Sequence, residues 1–196
     1  MSFLKNISDN ELIHRIAEGD KRSLDLLFKR YYPRLCFFSL QFVKNKNLAE
    51  EVVSDIFLNI WLKRGRLKIN ISVKAYLYTA VRNQSLNYLK KKDLNYEDLE
   101  VVDKESVIAS LSPDHFLIYD ELKEEIENMI KNLPERRQLI FRMNRIDGLS
   151  YKEIAEILSI SVNTVQNQMV EAVKFMTKQL PRIKKLFTLV LAFLIQ

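Results

Sequence analysis

Leu149-Ser150-Tyr151-Lys152-Glu153-Ile154-Ala155-Glu156-Ile157-Leu158-Ser159-Ile160-Ser161-Val162-Asn163-Thr164-Val165 reads as one helix, a short turn and the start of a second helix. Ser150 and Glu153 have capping-box spacing, a hydroxyl at the cap and a carboxylate three residues on. Ile154, Ala155, Ile157 and Leu158 give the first helix an apolar side, and Ala155 is small where two helices would cross closely. Ile160, inside the turn Ser159-Ile160-Ser161, can plug the core between them, and Ser161 can cap the second helix. Along that helix Val162, Val165, Met169, Ala172, Val173 and Met176 share one face, while Asn163, Gln166, Asn167, Val170, Lys174 and Lys178 share the other. The second face suits the major groove of DNA. Its amides can pair bidentately with adenine, its lysines can reach phosphates, and the amides cluster near the helix start, where recognition helices read bases. The plainer alternative is a helical hairpin with a solvated polar face.

Working outward, the rest of the chain also reads as helical. Only three glycines and four prolines occur in 196 residues, too few turn-makers for a many-stranded β fold. Ser8 with Glu11, and Asn47 with Glu50, repeat the capping spacing. Leu24, Leu27, Phe28, Tyr31, Leu35 and Phe38 recur every three or four residues, with Pro33 expected to break or kink that helix. Ser72 can cap a helix running to about Lys91. Ser112-Pro113 suits another start, followed by the stripe Ile118, Leu122, Ile126, Met129 and Leu133. Pro134 opens the next helix, Asp147-Gly148 turns the chain, and Pro181 is expected to stop the last helix. The fold class expected is therefore all-α.

Charge divides the chain into blocks. The net charge is +6, which leans toward a polyanionic partner without requiring one. From Ile56 to Lys92 there is no acidic residue but nine basic ones. From Asp93 to Glu105 the sign reverses to a net −5, leaving +11 on the rest of the chain. A basic block followed by an acidic, weakly periodic stretch marks a domain edge. We expect a helical domain at 1–92, a linker at 93–113, a helix-turn-helix domain at 114–180 and an apolar tail at 181–196. The tail's run, Leu186 to Ile195, is about ten residues against the roughly 20 needed to span a bilayer, which suits a packed or interfacial final helix.

Between Asn47 and Leu62, Val52, Val53, Ile56, Phe57, Ile60 and Trp61 gather on one side of a helical wheel. The other side holds Glu51, Ser54, Asp55, Leu58 and Leu62. Isolated surface leucines are ordinary. Two of them amid carboxylates and a small hydroxyl also fit a docking face with apolar anchors. The basic block that follows is interleaved with Trp61, Tyr76, Tyr78 and Tyr88, a composition suited to unstacked single strands. Some of these rings must be core, with Trp61 and Tyr76 the first candidates.

No catalytic set is apparent. His14 and His115 are far apart, Cys36 sits among Leu35, Phe37 and Phe38 as a small hydrophobe, and neither a zinc-type cluster nor a phosphate-cradling loop occurs. One cysteine allows no internal disulfide, and Met1 to Glu11 does not read as a signal peptide. A reducing, cytoplasmic setting is expected, with no metal and no cofactor.

Three segments carry a family resemblance. Ala49-Glu-Glu-Val-Val-Ser-Asp-Ile-Phe-Leu-Asn-Ile-Trp61 resembles the polymerase-binding helix of extracytoplasmic-function (ECF) sigma factors. Ala75-Tyr-Leu-Tyr-Thr-Ala-Val-Arg82-Asn83 with Tyr88-Leu-Lys-Lys91 resembles their promoter-melting segment. Leu133-Pro134 through Arg137, Gly148 to Ala155 and Thr164-Val165 resemble their second DNA-binding domain. The resemblance implies a non-enzymatic sigma factor that binds core RNA polymerase, through the clamp helices of the largest subunit and the flap of the second-largest, and directs promoter-specific initiation. It implies docking by Glu51, Ser54, Asp55, Leu58 and Asn59, to which the wheel adds Leu62. It implies −10 contacts by Lys63, Arg64, Arg66, Lys68, Lys74, Tyr78, Arg82, Asn83, Lys90 and Lys91. It implies −35 reading by Ser161, Asn163, Thr164, Gln166, Asn167 and Lys174. Promoter DNA is the second partner, no small-molecule substrate is implied, and an anti-sigma factor is left open. The chain departs from the pattern at Ser54, where Gln is usual, at Asn87, where Asp is usual, and at Gln166 and Gln168, positions often basic. The rival readings are a dimeric helix-turn-helix repressor or activator and an adaptor that binds no DNA.

Overall fold

The computed structural model describes the backbone of residues 7–92 and 117–194, and the side chains of residues 7–90 and 124–179. Every regular element among the described residues is helical. The chain divides into two compact units, Met1–Ser112 and Pro113–Gln196. The expected linker at 93–113 and the helix start at Ser112-Pro113 lie outside the described residues.

The first unit contains α1 (Asp9–Ala17), α2 (Lys21–Val43), α3 (Lys46–Leu62), a 3-10 turn (Arg64–Arg66) and α4 (Val73–Lys92). Ser8, in extended conformation, accepts the Glu11 N–H at 3.2 Å. The Glu11 carboxylate turns instead to Arg15 at 2.7 Å, so the cap works in one direction only. Leu12 and Ile16 are fully buried. Gly19, at φ +94°, and Asp20 close the corner into α2, where Asp20 accepts from the Arg22 N–H and the Ser23 hydroxyl.

Two sequence expectations are corrected here. Of the break or kink expected at Pro33, the break does not occur, and α2 runs for 23 residues. A proline removes one helix hydrogen bond and costs about 3 kcal/mol. Leu27, Tyr31, Leu35, Cys36 and Phe38 are buried along the same helix, and each apolar side chain of this size returns roughly 1.5–3 kcal/mol. The cap of α3 is Asn45 rather than Asn47. Lys44 ends α2 in the left-handed region (φ 53°), and Asn45 then accepts the Leu48 N–H at 2.9 Å, which leaves Asn47 inside the first turn.

α3 and α4 both pack on α2. Val52, Val53, Ile56, Phe57 and Ile60 of α3 are buried, and the Phe57 ring meets Phe28 edge-on at 5.0 Å. Ser72 caps α4 by accepting the Ala75 N–H at 3.1 Å. Leu77, Tyr78, Val81 and Ser85 form its buried stripe. Within it Tyr78 packs edge-on against Phe38 at 4.9 Å, and Ser85 pairs with Ser39 at 2.9 Å.

The second unit contains α5 (Leu117–Lys131), α6 (Glu135–Arg145), α7 (Tyr151–Leu158) and α8 (Val162–Leu194). Arg142 of α6 pairs with Glu127 of α5. Gly148 takes φ +67°, and the Asn144 side-chain amide donates to the Leu149 carbonyl at 2.8 Å, which fixes the turn into α7. Ser150 and Glu153 complete the capping box in both directions. Ser159, at φ 53°, ends α7, and Ser161 accepts the Thr164 N–H at 3.0 Å to start α8. Ile154, Ala155 and Ile157 pack with Val165, Met169 and Ala172 in the core.

Val162, Val173 and Ile126, which periodicity places on apolar faces, are 46%, 42% and 41% exposed. The neighbouring helices cover only the narrow stripe Val165, Met169, Ala172 of α8, and Val162 and Val173 sit at its edges. Nor does Pro181 end α8, which continues to Leu194. In a helix this long the proline forfeits one bond, to the Thr177 carbonyl, while the turns on either side keep theirs. No helix among the described residues is long and apolar enough to cross a membrane.

Candidate functional site

The solvent face of α3 is set by the burial of its other side. With Val52, Val53, Ile56, Phe57 and Ile60 inward, helical geometry sends Glu51, Ser54, Leu58, Asn59 and Leu62 outward, and all five are exposed. Leu58 is 53% exposed and Leu62 66%. Two large apolar side chains thus face water one turn apart, beside Asp55, which is half-buried.

Asp55 is half-buried because α4 reaches over it. The Tyr88 hydroxyl lies 2.9 Å from Asp55 Oδ2 and 3.1 Å from Glu51 Oε1. Desolvation, and then the two carboxylates it bonds, push the Tyr88 phenol well above its ordinary value, so it stays protonated and donates. Tyr88 is absent from the site residues expected from sequence, although it bonds two of them. Nothing in the sequence links this ring of the basic block to acids 33 and 37 residues away.

The basic residues after α3 are displayed on the 3-10 turn, the loop beyond it and α4. Lys63, Arg66, Lys68, Asn83 and Lys90 are exposed; Arg64, Lys74 and Arg82 are half-buried. Arg64 lies over the Trp61 ring at 4.4 Å and donates to the Trp61 carbonyl at 2.9 Å. Trp61, read as core, is thus a half-buried shelf for a cation. The side chain of Lys91 lies outside the described residues. Tyr78 is a correction. It is 1% exposed on the buried stripe of α4, against Phe38, and cannot touch DNA while the unit is folded.

On α8, Ser161, Asn163, Gln166, Asn167, Val170 and Lys174 are exposed and Thr164 is half-buried. The hydroxyls of Ser161 and Thr164 lie 2.8 Å apart, so both belong to the cap. Lys174 pairs with Glu171 at 2.8 Å. Arg137 of α6, Lys174 and Lys178 line one open groove of about 500 Å³ with Val173 and Phe175 at its apolar wall. No group of His, Cys, Asp and Glu that could hold a metal ion occurs among the described residues.

Two family models match the chain. Sigma-70 region 2 matches residues 27–94, and Sigma-70 region 4 matches residues 123–176. The chain belongs to the sigma-70 family. Its curated relatives include the RNA polymerase sigma-H factor of Pseudomonas aeruginosa, 26% identical over 91% of this chain and 96% of that protein. The ECF RNA polymerase sigma-E factors of Haemophilus influenzae and Escherichia coli are 26% and 24% identical over 86% of this chain, covering 93% and 92% of theirs. Among solved structures, that of CnrH in complex with the cytosolic domain of CnrY aligns with TM-score 0.50 and 17% identity, over 89% of this chain and 97% of that one. The chain is accordingly a sigma factor of the ECF branch. It binds core RNA polymerase and promoter DNA, directs transcription initiation and is not an enzyme.

Proposed function

We propose that this sigma factor divides its work between its two units. The first, residues 1–92, docks on the polymerase and opens the −10 element; the second, residues 114–180, reads the −35 element. The observation that carries this is the solvent face of α3, with Leu58 and Leu62 exposed beside Glu51, Ser54, Asp55 and Asn59. Apolar anchors desolvate on docking and supply affinity, while the carboxylates fix register against cationic partners. The clamp helices of the largest polymerase subunit are the partner proposed for this face, and the flap of the second-largest subunit the partner of the second unit. The exposed cations of the 3-10 turn, the following loop and α4 then meet DNA phosphates in the cytoplasm, where the polymerase works. CnrH is found in complex with the cytosolic domain of CnrY, and an anti-sigma factor is the corresponding further partner proposed here.

The test is the double variant Leu58→Asp, Asp55→Arg. Both positions are solvent-facing or half-buried, so helix content should match wild type, while co-purification with core polymerase should be lost. Wild-type recovery of the variant with polymerase would refute the docking assignment.

A further inference from the structure

The heart of the helix-turn-helix carries no positive charge. From Glu153 to Val173 there are three carboxylates and no lysine or arginine. The nearest cations flank it: Lys152 before, Lys174 after, and Arg137 on α6, whose Nε lies 3.4 Å from Gln168 Oε1. Phosphate grip therefore belongs to the flanks, and base reading to the face at the start of α8, which carries no cation before Lys174.

That face is well defined. The cap uses Ser161 and Thr164, whose hydroxyls engage each other and the Thr164 N–H. Beyond the cap, Asn163, Gln166, Asn167 and Val170 are exposed on the first two and a half turns of α8, the part of such a helix that reaches base edges. Glu171 follows and is engaged by Lys174.

Major-groove chemistry then limits what this face can distinguish. Guanine is recognised by a bidentate cation on O6 and N7, and the first two and a half turns of α8 carry none. Asn and Gln are bidentate to adenine N6 and N7, and an aliphatic side chain packs on the thymine methyl. We propose that the upstream element read by α8 is defined by A·T pairs, with Asn163, Gln166 and Asn167 as the adenine-reading residues and Val170 set against a thymine methyl. Guanine is not a determinant of this element. The proposal rests on the assignment of α8 to upstream-element reading, and the experiment separates the two.

Holoenzyme reconstituted from core polymerase and the full chain is offered a promoter library randomised in both elements, and transcribed templates are sequenced. The expected upstream motif consists of A·T pairs. Replacing adenine by 7-deazaadenine at the preferred position removes N7 alone, half of the bidentate contact, and should lower transcription roughly two- to tenfold. Replacing guanine by 7-deazaguanine nearby should change nothing. Gln166→Arg or Asn167→Arg should bring a new G·C pair into the motif. An upstream motif anchored on G·C pairs and insensitive to deaza-adenine would overturn the proposal while leaving upstream reading by α8 in place if the variants still shift the motif. Promoter-specific transcripts with no upstream preference, unchanged by any α8 variant, would instead overturn the assignment of α8 itself, and the proposal with it.

Discussion

Replacing Tyr88 with phenylalanine removes one oxygen and tests whether α4 holds the acids of α3 in place. The hydroxyl has a single proton and two acceptors, Asp55 at 2.9 Å and Glu51 at 3.1 Å, so it donates fully to one at a time. Asp55 is the nearer and the more buried, and is the main partner. A hydrogen bond to a charged acceptor is worth about 1.5–3 kcal/mol when well buried. Here Glu51 is exposed and water can replace the lost donor, so about 1 kcal/mol is expected. In a unit of this size that lowers the melting temperature by roughly 4–8 °C. The difference should depend on pH. The folded chain holds the Tyr88 proton more tightly than the unfolded chain, whose phenol titrates near its ordinary value of 10.0. The stabilisation is therefore complete below about pH 10 and is lost as pH rises toward the folded value. Scanning calorimetry of wild type, Tyr88→Phe, Asp55→Asn and the double variant at pH 7 and above pH 10 measures both effects. The double variant should melt close to Asp55→Asn alone, because the two side chains share one interaction. Strictly additive single effects, or a Tyr88→Phe variant melting within a degree of wild type, would refute the reasoning.

Other outcomes follow from the same geometry. Arg82→Ala with Asn83→Ala should leave a holoenzyme that forms and finds its promoter but opens it slowly, by permanganate footprinting of thymines. A template already mismatched around the −10 element should restore most activity. Tyr78→Ala should cost about 3–5 kcal/mol of stability, by denaturant unfolding; a small loss would show that the ring is not core. Cys36 is buried and its thiol is pushed up to about 12, first by desolvation and further by Glu50. It should resist thiol reagents at pH 8 in the native chain and react only on unfolding.

Much of the fold was legible because caps and periodicity are local. The Ser150–Glu153 box and the Ser161 cap stand where their spacing put them, and the inward side of α3 is the apolar side of its wheel. The misses were non-local. Pro33 and Pro181 carry a local penalty that long helices absorb, and no count of neighbours shows that. Tyr78 and Tyr76 are two residues apart in one aromatic run, and which one is buried depends on where α2 lies across α4. Tyr78 meets Phe38 and is core, while Tyr76 is half-buried. Tyr88 could not be found for the same reason, since its partners belong to another helix.

Transcription reconstituted from purified core polymerase, with and without this chain, tests the central claim most directly. The chain should convert a core enzyme that starts at random into one that yields transcripts with uniform 5′ ends from a small set of templates in a randomised library. The Leu58→Asp, Asp55→Arg variant should return the reaction to the level of core enzyme alone. The account is contradicted if the chain leaves the start sites of the core enzyme unchanged while binding duplex DNA on its own as a dimer.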